Sequence, residues 1–295
     1  MDPLKPISVN EQHSKYLASM TAEERYRYRI GIYEETKECV IRGSYTKPGE
    51  GIQSIEPSKV LSTKFCLSPE FERQQFETVF KVFDGDCLDT GVRLKKSFSP
   101  VVLNMANNET PGGGVQYGAG AQEESIFRRT DYFLHLPKSL YPINGAIYSP
   151  EVTVFRHSEA NLYGFMEEPL KIPMIACSAI RHPSLINTET GVNYTEEDQR
   201  TMYLKSEITL STALHFGHDA IVLSAFGCGA FRNPPQRVAE IFKHLLTSTF
   251  SNCFKTVVFA IFNDHNSRKN GGEGNVVPFE RVFETQAVQD LDTLA

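Results

Sequence analysis

The stretch that decides the fold begins Pro100-Val101-Val102-Leu103-Asn104-Met105 and continues Ala106-Asn107-Asn108-Glu109-Thr110-Pro111-Gly112-Gly113-Gly114. After seven residues it resumes as Gln122-Glu123-Glu124-Ser125-Ile126-Phe127-Arg128-Arg129. An unbroken apolar run reads as a strand buried on both faces, and the segment after the glycines reads as a helix. Apolar runs of the same kind recur at 78–83, 145–148, 171–176, 220–225 and 256–262. Helical periods at 196–216 and 235–246 separate the last three, the second with a stripe of Val238, Ile241, Phe242 and Leu245. Buried strands alternating with helices predict a three-layer α/β/α domain on a largely parallel sheet.

Before this domain, residues 1–60 read as a helical accessory segment and connector, leaving 61–295 as the main domain. Thr21 and Glu24 form a capping-box pattern, and Tyr26, Ile30, Tyr33 and Lys37 follow near helical period. Gly43, Pro48, Gly49, Gly51 and Pro57 punctuate the connector. Of 295 residues 40% are hydrophobic, with 20 glycines and 16 prolines, a composition that excludes collagen-like and mainly disordered chains.

The net charge of −6 argues against nucleic-acid binding through phosphate neutralisation, since the basic clusters, Arg25-Tyr26-Arg27-Tyr28-Arg29 and Lys95-Lys96, are short. Cysteines 39, 66, 87, 177, 228 and 253 show no zinc-site spacing and read as thiols of a reducing compartment. His215 and His218 read as a helix-end or partly buried pair rather than metal ligands. No apolar stretch approaches the roughly 20 residues of a membrane span, and the N-terminus lacks a secretory pattern. The expectation is a soluble intracellular protein, cytoplasmic or nuclear, with no metal and no cofactor.

In open α/β sheets ligands bind outside the carboxyl ends of the strands. The residues that follow the predicted strands are Asp84-Gly85-Asp86, the Asn107–Gly114 loop, Phe226-Gly227-Cys228-Gly229-Ala230-Phe231 and Asn263-Asp264-His265. Three successive glycines let a ligand approach the backbone, or simply make a flexible turn. Their spacing fits neither the P-loop nor the Rossmann fingerprint, but two such loops suit a pyrophosphate. Acidic residues at a helix start favour the macrodipole in any protein. Beside a glycine loop at a strand end, however, the Glu123–Glu124 pair points to acid–base work, with crowding and burial raising one carboxyl. Cys228 has no histidine placed to activate it as a nucleophile.

Gly112-Gly113-Gly114, seven residues, then Gln122-Glu123-Glu124 resembles the signature of the poly(ADP-ribose) glycohydrolases of the compact bacterial or fungal type, which are macrodomain-fold enzymes. Asn104-Met105-Ala106-Asn107, Gly85-Asp86 and the 226–234 loop are similar to further macrodomain motifs, in order over residues 78–280. Arg232 departs from the pattern, which has glycine there. The resemblance implies a mixed, largely parallel central sheet and a glycosidase that releases ADP-ribose from poly(ADP-ribose) on modified proteins, without cofactor or metal. It implies no partner that is a sequence-specific nucleic acid or a membrane.

It further implies Glu124 as general acid/base and Glu123 as its partner, which binds a hydroxyl and keeps its pKa raised. Asn107 would hold the ribose, and Asp86 would accept from the adenine amino group. Gly112, Gly113, Gly114, Gln122, Gly227, Cys228, Gly229 and Ala230 would surround the ligand, the two glycine loops cradling its diphosphate. Phe231 would press on the ribose. Phe262 is either an adenine-stacking face or core. Residues 263–275 are either a cap that restricts cleavage to chain termini or a solvated loop. A hydrolase of single protein-linked ADP-ribose units and a non-catalytic ADP-ribose reader are the alternatives.

Overall fold

The computed structural model describes residues 11–47, 49, 51–56, 58, 60–189, 191–263 and 273–294. Helices α1 (Glu11–Ser19) and α2 (Ala22–Arg42) lead into a hairpin of β1 (Ser44–Lys47) and β2 (Gly51–Ser54). Then come β3 (Thr63–Phe65), β4 (Val79–Phe83), α3 (Cys87–Leu94), β5 (Pro100–Met105) and α4 (Gln122–Arg129). The long strands β6 (Ala146–Arg156) and β7 (Phe165–Cys177) precede a second hairpin, β8 (Leu185–Thr188) with β9 (Gly191–Tyr194). The chain closes with α5 (Glu196–His215), β10 (Ala220–Leu223), α6 (Pro235–Thr247), β11 (Thr256–Ala260) and α7 (Val276–Phe283).

Seven strands form one sheet in the order β3-β6-β7-β5-β10-β11-β4. From β7 to β4 every pairing is parallel, while β3, β6 and β7 pair antiparallel. The buried residues fall into two large clusters, one on each face. Val101, Leu103, Ile221, Leu223, Val257 and Phe259 belong to the cluster that includes residues of α5, α6 and α7. Val102, Val222 and Val258 belong to the one that includes residues of α3 and α4. Neighbouring residues of a central strand thus alternate between two cores, and each such side chain contributes about 1.5–3 kcal/mol on burial. That is why these strands read as unbroken apolar runs.

The central strands begin level. Ala220 stands opposite both Pro100 and Thr256, and Thr256 opposite Val79. Their carboxyl ends therefore discharge their loops on one rim.

Several elements exceed the sequence expectation. Strand β6 runs past Tyr148 because a register shift between Ser149 and Val152 accommodates Pro150, which could not donate to a regular ladder. The connector holds the β1–β2 hairpin, anchored by buried Tyr45, whose hydroxyl donates to Met166 O at 3.0 Å. Gly191–Tyr194 form strand β9, and the Thr195 side chain caps α5 by accepting from the Asp198 N–H. At Thr21 the capping box is complete: its side chain accepts from the Glu24 N–H and Glu24 accepts from the Thr21 N–H. All six cysteines are free.

Candidate active site

Helix α4 carries the acid pair and docks against the end of β5 through Gln122. The Gln122 amide donates to Leu103 O at 2.6 Å and to Cys87 Sγ at 2.9 Å, while its Oε1 accepts from the Met105 N–H at 2.7 Å. The sequence reading expects Gln122 at the ligand. Both ends of its amide serve the protein, where they set how far α4 stands from the strand.

The glycine run wraps the two carboxylates. Glu123 accepts from the Asn107 N–H at 2.7 Å and the Gly112 N–H at 3.1 Å, and Glu124 Oε1 accepts from the Gly114 N–H at 2.9 Å. The Gly113 N–H is also engaged, to Thr110 O at 3.0 Å. This is the loop expected to cradle a diphosphate, and its glycine N–H groups are committed within the protein, two of them to the acids. Glycine is required for this wrapping. Gly113 has φ +54, and a Cβ there would lie 2.5 Å from Glu124 Oε1 and 3.1 Å from Glu123 Oε2. A Cβ on Gly112 (φ +72) would lie 2.6 Å from the Phe127 ring.

Both acids are buried, Glu123 at 3% and Glu124 at 7% relative exposure. Burial pushes the Glu123 carboxyl up to about 8, with the charge of Glu124 adding to it and the Asn107 and Gly112 N–H groups opposing it. Glu124 Oε2 is buried and makes no hydrogen bond. One oxygen of Glu124 is thus fixed and the other is uncommitted. Asn107 Oδ1 accepts from the N–H groups of Glu109 and Thr110, which closes a turn and gives the glycine loop its starting direction.

The second loop differs. Cys228, Arg232 and Asn233 donate their N–H groups within the turn, whereas those of Gly229, Ala230 and Phe231 find no acceptor among the described residues. A Cβ on Gly229 would meet nothing within 4 Å. Helix α6 begins just beyond, so its positive end faces the same rim. Asn233 holds the loop in shape. Its Nδ2 donates to Ile180 O at 2.8 Å and Gly227 O at 3.1 Å, and its Oδ1 accepts from the Tyr194 hydroxyl at 2.9 Å. Sequence reasoning missed this residue; an asparagine closing a glycine loop before Pro234 was the available signal. Arg232 has φ +62, the left-handed conformation that glycine adopts without strain. Cys228 is buried, and burial pushes its thiol far up, away from any nucleophilic role.

Asp86 caps α3, accepting from the Asp89 N–H at 2.8 Å, and it pairs with Arg129 at 2.7 Å. Its side chain keeps 27% exposure on the rim. Phe231 is half-buried against the core, and Phe262 is 71% exposed at the end of β11, which removes the core reading for that ring. Main-chain bonds between Ile261 and Phe83 and between Gly85 and Ile261 tie this end of β11 to that of β4. Of the 263–275 segment, 264–272 lie outside the described residues, and with them the expectation of a cap. Asn263 Oδ1 accepts from the Asn275 N–H at 2.8 Å across its base.

Among the described residues no group of three or more histidine, cysteine or acidic side chains is placed to hold a metal ion. No described helix is long and apolar enough to cross a membrane. His218 lies at the far end of the strands, bonded to Tyr148 and Ser99.

Residues 33–157 match the family model described as the microbial-type PARG catalytic domain. No curated protein matches the chain. Among solved structures, the poly(ADP-ribose) glycohydrolase of Thermomonospora curvata is 27% identical, with a TM-score of 0.70 over 86% of this chain and 98% of its own. The form of that enzyme bound to the inhibitor ADP-HPD matches over the same shares at 27% identity and a TM-score of 0.69. The Deinococcus radiodurans enzyme in complex with ADP-ribose is 26% identical, with a TM-score of 0.61 over 72% of this chain and 86% of its own. In sequence over residues 33–157 and in fold over most of its length, the chain is similar to the microbial-type poly(ADP-ribose) glycohydrolases.

Proposed function

We propose that the chain hydrolyses the ribose–ribose O-glycosidic bond of poly(ADP-ribose) carried on modified proteins and releases ADP-ribose. The observation that carries this reading is the posture of Glu124. One oxygen is anchored on the Gly114 N–H, the other is uncommitted, and the elevated Glu123 stands beside it. The bacterial relatives solved with ADP-ribose and with ADP-HPD support a ligand of that class.

Glu123 is raised to about 8 and so carries a proton at neutral pH, which the reaction draws through the neighbouring Glu124. Glu124 gives that proton to the oxygen leaving the anomeric carbon as the C–O bond breaks. The resulting carboxylate then takes a proton from the water that adds to the oxocarbenium-like carbon. Glu123 and the Asn107 side chain hold hydroxyls of the reacting ribose. The free N–H groups of Gly229, Ala230 and Phe231 receive the diphosphate, with the start of α6 behind them. Asp86 and the exposed ring of Phe262 take the adenine, and Phe231 presses on the ribose.

Release of free ADP-ribose from a poly-modified and a singly modified protein tests this, with Glu124→Gln alongside. The expected result is release from the polymer, lost in the variant while ADP-ribose binding by calorimetry is retained. Release from the single unit alone would make the chain a mono-ADP-ribosyl hydrolase. Binding without release from either would make it a reader, and turnover by Glu124→Gln would remove Glu124 from the mechanism.

A further inference from the structure

The loop 115–121 joins the glycine run to α4, so its shape decides whether the N–H groups and the carboxylates they hold stay in register. Part of that shape is internal: the Ala119 N–H donates to Gly114 O at 3.2 Å, and Arg128 Nη1 donates to Ala119 O at 2.8 Å. The rest comes from helix α2, far away in sequence. A Cβ on Gly118 would fall 2.8 Å from Tyr26 Cα, so the two backbones are in contact. A Cβ on Gly120 would fall 2.5 Å from the guanidinium carbon of Arg29.

Gly118 has φ +75, but Gly120 is not among the positive-φ glycines. The physical reason for glycine at 120 is therefore space, and Arg29 is what fills it. Arg29 is itself fixed by a two-pronged pair with Glu159, Nε to Oε1 at 2.9 Å and Nη2 to Oε2 at 2.8 Å. Arginine in this planar geometry is a rigid strut rather than a loose charge. The same helix holds the other end of α4, where Thr36 Oγ1 donates to Arg128 O at 2.6 Å. Helix α2 therefore meets the loop before α4 at Gly120 and the last turn of α4 at Arg128.

We infer that Arg29, seated on Gly120 and locked by Glu159, is a positioning residue for the Glu123–Glu124 pair, and that α2 is part of the catalytic apparatus rather than a detachable preface. Arg29 touches no substrate in this account. It acts by fixing where loop 115–121 delivers the acids. The inference rests on the hydrolase reading above, since it concerns the rate of that reaction.

The test compares wild type with Arg29→Ala, Arg29→Lys, Gly120→Ala and the double variant Gly120→Ala/Arg29→Ala. The readouts are kcat for ADP-ribose release, Kd for free ADP-ribose, and thermal melting. A carboxylate displaced by on the order of 1 Å loses roughly tenfold to a hundredfold in rate. Arg29→Ala is expected to lower kcat by that factor with Kd within about twofold, because the diphosphate loop lies elsewhere. Arg29→Lys, which keeps charge but not the planar pair, falls between.

Gly120→Ala forces a Cβ against the guanidinium and lowers kcat while Arg29 is present. Once Arg29 is alanine the added methyl has room, so the double variant is no slower than Arg29→Ala alone. Such non-additivity is what contact predicts and what general loss of stability does not. Wild-type kcat in both single variants overturns the inference, as does a parallel loss of kcat and ADP-ribose affinity. Should Arg29→Ala fail to fold, Gly120→Ala alone decides. A wild-type protein that releases no ADP-ribose overturns both the hydrolase reading and this one, whereas an active wild type with unaffected variants overturns this one only.

Discussion

Gly113→Ala separates the two jobs a glycine-rich loop can do. At φ +54 an alanine pays about 1–2 kcal/mol of left-handed strain, offset by about 0.5–1 kcal/mol from the stiffer unfolded chain. Its methyl would stand 2.5 Å from Glu124 Oε1 and 3.1 Å from Glu123 Oε2, so the Glu124 carboxylate has to retreat. Retreat breaks the 2.9 Å bond from the Gly114 N–H, a charge-assisted bond worth about 1.5–3 kcal/mol. Together these come to about 2–4 kcal/mol of stability, or a Tm lower by about 3–6 °C in a chain of this size. The rate falls further, by about a hundredfold, because the proton donor is about 1 Å out of place.

Affinity for ADP-ribose should stay within about threefold, since the N–H groups of the loop are already engaged inside the protein. The assay is steady-state release of ADP-ribose at saturating polymer, with calorimetry on ADP-ribose alone. Gly229→Ala is the counterpart: a methyl there meets nothing within 4 Å, so Tm should hold while the diphosphate finds its approach obstructed and Kd weakens. A Gly113→Ala enzyme with normal kcat and badly weakened ADP-ribose binding would refute the reasoning and return the first loop to a phosphate cradle.

Asn233→Ala removes three hydrogen bonds and leaves the Tyr194 hydroxyl buried without its acceptor, for about 1–3 kcal/mol. Urea unfolding should show that loss and calorimetry a weaker ADP-ribose affinity, and an unchanged Kd would mean the loop does not depend on this brace. Arg232→Gly relieves a φ of +62 and should raise stability by about 0.5–1 kcal/mol, net of the entropy glycine restores to the unfolded chain; a lower Tm would contradict it. The Glu123 proton predicts a pH dependence. Its carboxyl lies at about 8 in the fold against an ordinary 4.5, so the stabilisation from that proton is complete below pH 4.5 and is lost as pH rises through 8. Glu123→Gln does not titrate, so wild type should lose stability against the variant across that window by at most about 1.4 kcal/mol per pH unit. Parallel stability curves from pH 5 to about 9 would show that Glu123 is ionised throughout.

What was legible in the chain was what local chemistry dictates. Val101, Val102 and Leu103 read as a doubly buried strand because each neighbour faces a different core, and Thr21 with Glu24 read as a cap because that bond closes within one turn. The convergence of loops at one rim followed from parallel pairing alone. The roles of particular groups did not follow, because they depend on partners distant in sequence. Gln122 looks like a ligand contact until Leu103 O and Met105 N turn out to take its amide. Gly120 looks like one more turn residue until Arg29, some ninety positions earlier, is found lying on it. The strand expected over 145–148 stops two residues before Pro150, and the register shift between Ser149 and Val152 shows how β6 continues past that proline.

Among the described residues the acids are held by backbone N–H groups and not by cations, although α4 itself supplies two arginines. A guanidinium beside Glu123 or Glu124 would favour the carboxylate form and draw the proton off the pair. Arg129 is instead directed to Asp86 and Asp89, and Arg128 to Tyr163 and Ala119 O, on the other flank of the helix. Peptide dipoles in a tight glycine turn fix the position of each oxygen at a smaller electrostatic bias, so burial can still dominate and hold the Glu123 carboxyl near 8. Asp86 and Asp89 are the carboxylates that receive the Arg129 guanidinium. They keep the charge of Arg129 occupied, and neutralising Asp89 as Asp89→Asn should release part of that charge toward the acid pair and move the alkaline limb of the pH–rate profile downward; a limb that stays in place would show that Arg129 exerts no influence on the proton.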